Sequence, residues 1–204
     1  MDHAGGISMM DFYLLRHGKT KYNEKGLLLG KTDVPLLSRE DPDLLKWIDR
    51  LVAISWVAMF HSGMKRSEET LREIYRRLDE KKKDIPIYVD ERLQEMNFGE
   101  WELKSYDWLY QNQREDFLNW LHSPYDYAPP QGETLAQMEK RVISFFEEWA
   151  SKELIGSILL VTHGGLIRLL WSIIHQTSFY EKKVEIGSLF CLNWQKRNME
   201  EILE

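Results

Sequence analysis

The chain has 204 residues, of which 43% are hydrophobic, 12% aromatic and 29% charged. This is the composition of an ordinary globular protein, so it excludes the disordered, collagen-like and low-complexity classes. At roughly 150 residues per domain, the length is closest to one domain. We predict a flexible leader over residues 1–9 and a single domain over residues 10–204.

Charge and apolar pattern narrow the range of partners. Lys and Arg number 27 against 33 Asp and Glu, a formal net charge of -6, which repels nucleic-acid phosphates and argues against DNA or RNA as a partner. No run approaches the roughly 18 apolar residues of a membrane span, and the start lacks the features of a signal peptide. The single Cys191 excludes an intramolecular disulfide. We therefore expect a cytoplasmic protein without a membrane partner.

Apolar spacing predicts alternating strands and helices in the first half of the chain. The apolar run at residues 12–15 ends in Arg-His-Gly, which is typical of a buried strand that leads into a loop. Ser38 is expected to cap a helix through Val52, because apolar residues recur three and four positions apart after it. The remaining elements are a strand at residues 56–60, an amphipathic helix from Ser67 to about Lys82 and a strand at residues 85–89.

The second half of the chain continues this alternation. Residues 158–162 form a continuous apolar run, the pattern of a parallel strand that is buried on both faces. Residues 195–204 are charged and lack a hairpin glycine, so we expect an exposed end and a shortened final strand pair. The other predicted elements are helices over residues 104–122, 133–152 and 166–174, a proline-marked loop at residues 124–130 and a strand at residues 190–194.

Strands that alternate with helices predict an α/β fold, specifically a three-layer α/β/α sandwich with a mostly parallel central sheet. Ligand sites in such sheets gather at the carboxyl ends of the strands. Two predicted strands end in His-Gly, at His17 in LLRHGKT and at His163 in LLVTHGG, so both imidazoles are expected to face one crevice. Arg16 adds a permanent planar cation, and the glycines leave backbone N–H groups for an anion.

The segment LLRHGKT together with Asn23 resembles the signature of the histidine phosphatase superfamily, also called the phosphoglycerate mutase-like family. Further family blocks follow in order. HSGMKRSEET places a second arginine at Arg66, LQEMNFGEWE places the acid/base carboxylate at Glu95, QGETL is similar to a Gly-Glu-Ser segment, and VTHGG supplies His163. The resemblance spans nearly all of residues 10–194 and implies a phosphoglycerate mutase-like sheet.

The resemblance implies phosphoryl transfer that needs no metal and no other cofactor. Catalysis of this kind consists mainly of positioning and of electrostatic stabilisation of the transferring group. His17 would attack phosphorus as a neutral imidazole and become a phosphohistidine. Glu95 would protonate the leaving oxygen and later deprotonate the hydrolytic water. His163 is the third catalytic candidate, and the candidates for substrate binding are Arg16, Asn23, Arg66 and Gly164.

Several residues also have an ordinary structural interpretation. Arg66 could be an exposed residue of a charged helix, and Glu95 a surface carboxylate before a turn. Thr20 could contact phosphate or form a turn, and His61 could touch the substrate or cap its strand. Glu133 is interpreted as structural and Cys191 as a small buried hydrophobe. The aromatic residues that could line the entrance or belong to the core are Trp101, Tyr106 and Trp108.

The segment FGEWELKSYDW stands where true mutases carry Tyr-Gly-x-Leu-x-Gly-Leu-Asn, so it resembles the phosphatase branch of the family. The run at residues 120–124, with PPQGETL and VTHGGLIRLL, is similar to alpha-ribazole phosphatases. We predict a phosphomonoester hydrolase for a small phosphorylated metabolite, with alpha-ribazole 5'-phosphate as a candidate. The alternatives are a cofactor-dependent phosphoglycerate mutase and a non-catalytic phospho-ligand binding protein, and a homodimer is a candidate assembly.

Overall fold

The computed structural model describes residues 10–152 and 154–203, so the leader predicted over residues 1–9 lies outside the described residues. The strands are β1 (Asp11–Arg16), β2 (Trp56–His61), β3 (Ile87–Val89), β4 (Ser157–Thr162), β5 (Leu189–Asn193) and β6 (Asn198–Ile202). Within these residues they form one sheet in the order β3-β2-β4-β1-β5-β6. The first four in that order are parallel to one another, whereas β5 is antiparallel to β1 and to β6. The mostly parallel sheet is thus confirmed.

Helices cover both faces of the sheet. They are α1 (Pro42–Leu45), α2 (Ile48–Ala53), α3 (Lys65–Arg76), α4 (Tyr106–Asn112), α5 (Arg114–His122), α6 (Leu135–Ala150) and α7 (Gly164–His175). Side chains of β4 alternate between two apolar clusters, because successive strand residues point to opposite faces. Ile158 and Leu160 pack with α6 and α7, while Leu159 and Val161 pack with α2 and α3. This is the predicted three-layer α/β/α sandwich.

Burial of the central strand on both faces accounts for its unbroken apolar sequence. Residues 158–161 are completely excluded from solvent, and burial of each such side chain is worth about 1.5–3 kcal/mol. None of the described helices combines the length and the apolar character needed to cross a membrane.

Three predicted helix boundaries are wrong. The helix predicted from Ser38 begins instead at Pro42, because Asp41 caps it by accepting hydrogen bonds from the Asp43 and Lys19 amides, and it is divided into α1 and α2. The helix predicted from Ser67 begins at Lys65 and ends at Arg76, and residues 80–82 form a separate 3-10 turn. Residues 104–122 are split into α4 and α5 at Gln113, whose backbone is not helical.

The expectation of a shortened final strand pair is also wrong. β6 pairs with β5 over five residues, from Leu189↔Ile202 to Asn193↔Asn198. Arg197 adopts a left-handed backbone with φ 51° in the connecting turn, so it takes the conformation usually supplied by glycine. Met199 is buried against the core, which explains why this charged segment is part of the sheet.

Candidate active site

The two histidines meet at the carboxyl ends of β1 and β4. Arg16 is paired with Thr162 in the parallel ladder, so His17 and His163 are the next residues of neighbouring strands. The His17 amide donates to the Thr162 carbonyl at 3.0 Å. The imidazole centroids are 5.1 Å apart, and both rings are buried. The structure thus brings together the two imidazoles that the sequence placed at strand ends.

Hydrogen bonding defines the tautomer of His17. Its Nδ1 lies 2.7 Å from the Gly18 carbonyl oxygen, and because a carbonyl only accepts, Nδ1 carries the ring proton. Nε2 of the neutral ring therefore keeps its lone pair. The Gly18 amide donates to Thr70 Oγ1 at 3.0 Å, and Thr70 donates to the Arg66 carbonyl at 2.7 Å. The backbone that orients His17 is thus tied to α3.

A directional chain of hydroxyl groups defines the tautomer of His163. Ser67 donates to the Met64 carbonyl at 2.8 Å, so its hydroxyl accepts from Ser62, 2.8 Å away. Ser62 has then used its only proton and accepts from His163 Nε2 at 2.7 Å. Nε2 carries the ring proton, and Nδ1 is buried without a hydrogen-bond partner in the described part of the chain. Nδ1 of the neutral ring is therefore an acceptor.

Burial keeps both rings neutral. It lowers the pKa of His17 and of His163 well below the ordinary histidine value, and the positive charges of Arg66 and Arg16 act in the same direction. At neutral pH neither imidazole is protonated twice. His17 Nε2 is therefore available as a nucleophile without prior deprotonation.

These lowered pKa values predict that stability falls in mild acid. Below the unfolded pKa of about 6.5 the unfolded chain binds protons that the folded chain does not, so unfolding is favoured as pH falls. Each histidine contributes at most about 1.4 kcal/mol per pH unit. Urea unfolding at about pH 7.5 and 5.5 should show this loss, and His163→Asn should reduce it. The exposed His122→Asn variant should retain the wild-type loss, and a pH-independent free energy of unfolding in this interval would contradict the assignment.

The two arginines lie beside the histidines, each held by backbone carbonyls. Arg66 is completely buried and donates to the Thr32 and Gly30 carbonyls at 3.0 and 2.6 Å. Arg16 donates to the Val184 carbonyl at 2.6 Å. Burial lowers the pKa of Arg66 to about 10, so it remains a cation at neutral pH. Nε of each arginine is buried and unpartnered among the described residues, which leaves both with donors for an anion.

A residue that the sequence analysis missed supports Arg66. Glu102 accepts hydrogen bonds from the amides of Gly30, Lys31 and Thr32, and from the Thr32 hydroxyl at 2.7 Å. Those contacts shape the loop whose carbonyls hold the Arg66 guanidinium. Glu102 lies in the quoted block LQEMNFGEWE, but a carboxylate that binds a distant loop has no sequence signal of its own.

Glu95 enters the same cleft from the segment between β3 and α4. Its side chain is only 9% exposed, and its Oε2 accepts from the Gly165 amide at 2.9 Å, while Oε1 accepts from the Met96 amide at 2.9 Å. A Cβ at Gly165 would stand 2.2 Å from Glu95 Oε1, so a larger residue there would displace the Glu95 carboxylate. The alternative of an exposed surface carboxylate does not describe Glu95.

An ion pair holds the segment that carries Glu95. Arg141 donates to the carbonyls of Arg92, Gln94 and Glu95, and it pairs with Glu133 at 2.7 Å. Glu133 precedes the Thr134 N-cap of α6, and its carboxylate also accepts a hydrogen bond from the Asn97 amide at 2.8 Å. Its structural interpretation stands, whereas Arg141 was missed because its partners are distant in sequence.

The remaining predicted binding residues border the cleft. Asn23 Oδ1 accepts from the amide and the hydroxyl of Thr20, which leaves its amide NH2 without a hydrogen bond to any described residue. Thr20 therefore has the turn-forming role. Gly164 begins α7, and a Cβ there would lie 3.1 Å from the Arg16 guanidinium carbon. Its position allows the helix N-terminus and Arg16 to approach the same point.

Other candidates lie away from the histidines. His61 Nδ1 accepts from the Gly63 amide at the end of β2, so it caps its strand. Burial raises the pKa of Cys191 in β5 to about 11, which keeps its thiol protonated. Trp101 belongs to the core, Trp108 is partly exposed, and Tyr106 lines the cleft. In the described residues, no group of three or more His, Cys, Asp or Glu side chains is arranged to hold a metal ion.

The cleft has a volume of about 140 Å³. Its inner end is formed by Arg16, His17, Asn23, Glu95, Gly164 and Gly165, and its outer wall includes Phe98, Tyr106, Trp120, Arg168 and Phe179. A larger surface groove of about 490 Å³ along α6 contains none of the predicted site residues. We place the candidate site in the smaller cleft, because it is lined by Arg16, whose Nε is unpaired among the described residues, and by the His17 imidazole.

Comparisons with known proteins identify the family. The profile described as the histidine phosphatase superfamily (branch 1) matches residues 12–200. A Hydrogenobacter thermophilus relative named "Putative phosphoserine phosphatase 2" is 34% identical over 166 residues, 79% of this chain and 77% of the relative. The "Adenosylcobalamin/alpha-ribazole phosphatase" of Escherichia coli is 27% identical over 161 residues, again 79% and 77%. The solved structure "Bacillus stearothermophilus YhfR" matches with a TM-score of 0.80 and 27% identity over 96% of both chains. The chain therefore belongs to the histidine phosphatase superfamily.

Proposed function

We propose that this protein is a phosphomonoester hydrolase that works through a phosphohistidine at His17. The observation that carries the proposal is a neutral imidazole with its Nε2 lone pair available, buried beside two guanidinium groups whose Nε donors are unpaired. A buried cation without an anionic partner is costly. A phosphoryl group would supply acceptors for the unpaired donors of both arginines, and its phosphorus would face the nucleophile.

In the first half-reaction, His17 Nε2 forms a bond to phosphorus while the bond from phosphorus to the leaving oxygen breaks. Arg16 and Arg66 stabilise the negative charge on the equatorial oxygens. His163 Nδ1 is an acceptor in the neutral ring, so it accepts a hydrogen bond from the hydroxyl of a monoprotonated phosphoryl group, which keeps its proton throughout. Asn23 and the Gly164 amide supply further donors to the same oxygens.

Glu95 acts as the general acid in the first half-reaction and as the general base in the second. In its protonated form it donates to the leaving oxygen as the ester bond breaks, which yields an alcohol and a carboxylate. In the second half-reaction the carboxylate removes a proton from water as its oxygen attacks phosphorus. The P–N bond breaks, its electron pair returns to His17 Nε2, and inorganic phosphate leaves. The free enzyme is thereby restored.

The names of two relatives suggest two candidate leaving groups. One relative is named for phosphoserine and another for alpha-ribazole, so alpha-ribazole 5'-phosphate, and with it a place in cobalamin biosynthesis, remains part of the proposal. A cytoplasmic location and a homodimeric assembly belong to the same proposal.

The proposal is tested by measuring inorganic phosphate released from p-nitrophenyl phosphate, L-phosphoserine and alpha-ribazole 5'-phosphate without added bisphosphoglycerate. A hydrolase releases phosphate at a rate that this primer does not raise. Conversion of 3-phosphoglycerate to 2-phosphoglycerate faster than hydrolysis would identify a mutase instead. Binding of phosphate without turnover of any monoester would identify a binding protein.

A further inference from the structure

The outer cleft, defined here by Tyr106, Trp120, Arg168 and Phe179, contains a third guanidinium group. Arg168 follows Gly164 by four residues on α7, so the two lie on the same helix face about one turn, or roughly 6 Å, apart. Gly164 contacts Arg16 at the phosphoryl end. Arg168 therefore lines the same cleft one helical turn along α7 from the proposed phosphoryl position.

Arg168 has no anionic partner of its own. It makes no hydrogen bond or ion pair within residues 10–152 and 154–203, its Nε is buried, and its guanidinium carbon lies 5.3 Å from the Phe179 ring centroid. Glu95 is the only carboxylate among the described residues that line the cleft, and it is engaged by two backbone amides. A partly buried cation in this position favours an anionic ligand.

Two further donors of the outer cleft are also unpaired. Trp120 is almost completely buried, and its indole Nε1–H, which can only donate, has no acceptor in the described part of the chain. The Tyr106 hydroxyl makes no hydrogen bond to a described residue, and it lies close enough to Arg168 to sense its charge. The Arg168 guanidinium and the Trp120 indole can only donate, and the Tyr106 hydroxyl can donate as well, so these three groups lining the cleft suit a ligand group that consists of acceptors.

The size of the cleft limits what this group can be attached to. Its volume of about 140 Å³ is well below the roughly 300–1,000 Å³ of pockets that enclose drug-sized ligands. A phosphoryl group fills much of this space, so the enclosed part of the leaving group is short. A carboxylate is planar, presents only acceptors and fits the bidentate geometry of a guanidinium.

We propose that Arg168 and the Trp120 indole N–H bind a carboxylate on the leaving group, so that the substrate is a small carboxylated phosphomonoester. This inference deepens the proposed function and rests on it. It ranks L-phosphoserine above alpha-ribazole 5'-phosphate, whose leaving group carries no carboxylate.

Two matched pairs of substrates test the proposal. L-phosphoserine differs from O-phosphoethanolamine by its carboxylate alone, and 3-phosphoglycerate differs from glycerol 3-phosphate by a carboxylate in place of a hydroxymethyl group. In each pair we expect kcat/KM for phosphate release to be at least about 10-fold higher for the carboxylated member, as charge-assisted hydrogen bonds allow. A ratio near one in both pairs would overturn the proposal.

Substitutions test whether the outer cleft is the source of this preference for carboxylated substrates. Arg168→Met keeps the apolar stem of the side chain and should bring both ratios close to one. Trp120→Phe keeps the aromatic ring and should lower them about threefold or more, which provides a second reading if Arg168→Met does not fold. Arg72→Met is the matched control, because that arginine lies on α3 with its side chain 73% exposed, and it should keep the wild-type ratios. A full preference retained in folded Arg168→Met would contradict the assignment.

Failure of the proposed function can be told apart from failure of this inference. If no monoester is hydrolysed, the hydrolase proposal fails. Calorimetric binding of the same four compounds to the wild-type protein then replaces kcat/KM. Tighter binding of the carboxylated members that is lost in Arg168→Met would still support the outer cleft as a carboxylate site, and equal binding of all four would refute it.

Discussion

Replacing His17 with Ala is expected to lower kcat for phosphate release by at least about 10⁴-fold, because the nucleophile that forms the covalent intermediate is lost. The two arginines, the second histidine and Glu95 would remain, so phosphate should still bind. The measurement is the steady-state rate with p-nitrophenyl phosphate and with L-phosphoserine. Binding of inorganic phosphate, followed by calorimetry, shows whether the cleft is intact.

The control for this variant is His122→Ala, since His122 is an exposed histidine on α5 whose Nδ1 lies 2.7 Å from the Leu118 carbonyl oxygen. It should leave kcat within about twofold, as expected for a surface substitution away from the cleft. If His17→Ala retained a tenth or more of the wild-type rate, direct attack of water or another nucleophile would replace the phosphohistidine mechanism.

Replacing Glu95 with Gln is expected to have an effect that depends on the leaving group. An alkoxide leaves only when it is protonated, so the first half-reaction with L-phosphoserine should slow by about 10²–10⁴-fold. The p-nitrophenolate ion needs no proton, so its release in the first turnover should change little. The second half-reaction lacks its general base in either case. Rapid mixing with p-nitrophenyl phosphate should therefore show a stoichiometric burst followed by slow turnover.

Glu100→Gln provides the comparison, since Glu100 is an exposed carboxylate in the same segment that bonds to Gln131. It should show wild-type kinetics with both substrates. An equal loss with p-nitrophenyl phosphate and L-phosphoserine in the first turnover of Glu95→Gln would show that Glu95 acts by positioning or by charge rather than by proton transfer.

Sequence patterns predicted the parts of the site that depend on strand ends. An apolar run buried on both faces has to be a central strand, and neighbouring parallel strands end at one edge of the sheet. His17 and His163 could therefore be brought together before any coordinates were known. The arginine in HSGMKRSEET was found only through its motif, because its charged helix alone favoured exposure, whereas Arg66 is completely buried.

Residues that support the site by distant contacts could not be predicted. Glu102 binds a loop some seventy residues earlier in the chain, and Arg141 holds the carbonyls around Glu95 from a different helix. Neither contact produces a periodic pattern or a local motif. The start of α1 had the same origin, since Asp41 caps this helix while also binding the Lys19 amide near the site.

The directional chain from His163 to the Met64 carbonyl also lay beyond sequence analysis. Serine hydroxyls both donate and accept, so only the positions of Ser62 and Ser67 between a ring nitrogen and a carbonyl define the direction of each bond. The result makes His163 Nδ1 an acceptor at neutral pH. A second histidine with this tautomer matches a phosphoryl group that arrives carrying a proton.

The central claim is that His17 Nε2 becomes covalently phosphorylated. It is tested most directly by quenching the wild-type enzyme during turnover of L-phosphoserine or p-nitrophenyl phosphate and locating the phosphate by mass spectrometry of peptides kept at alkaline pH. We predict a single phosphorylated residue, His17, with a modification that is lost in acid and absent from His17→Ala. Turnover with an unmodified His17, or with the phosphate on another residue, would contradict the account.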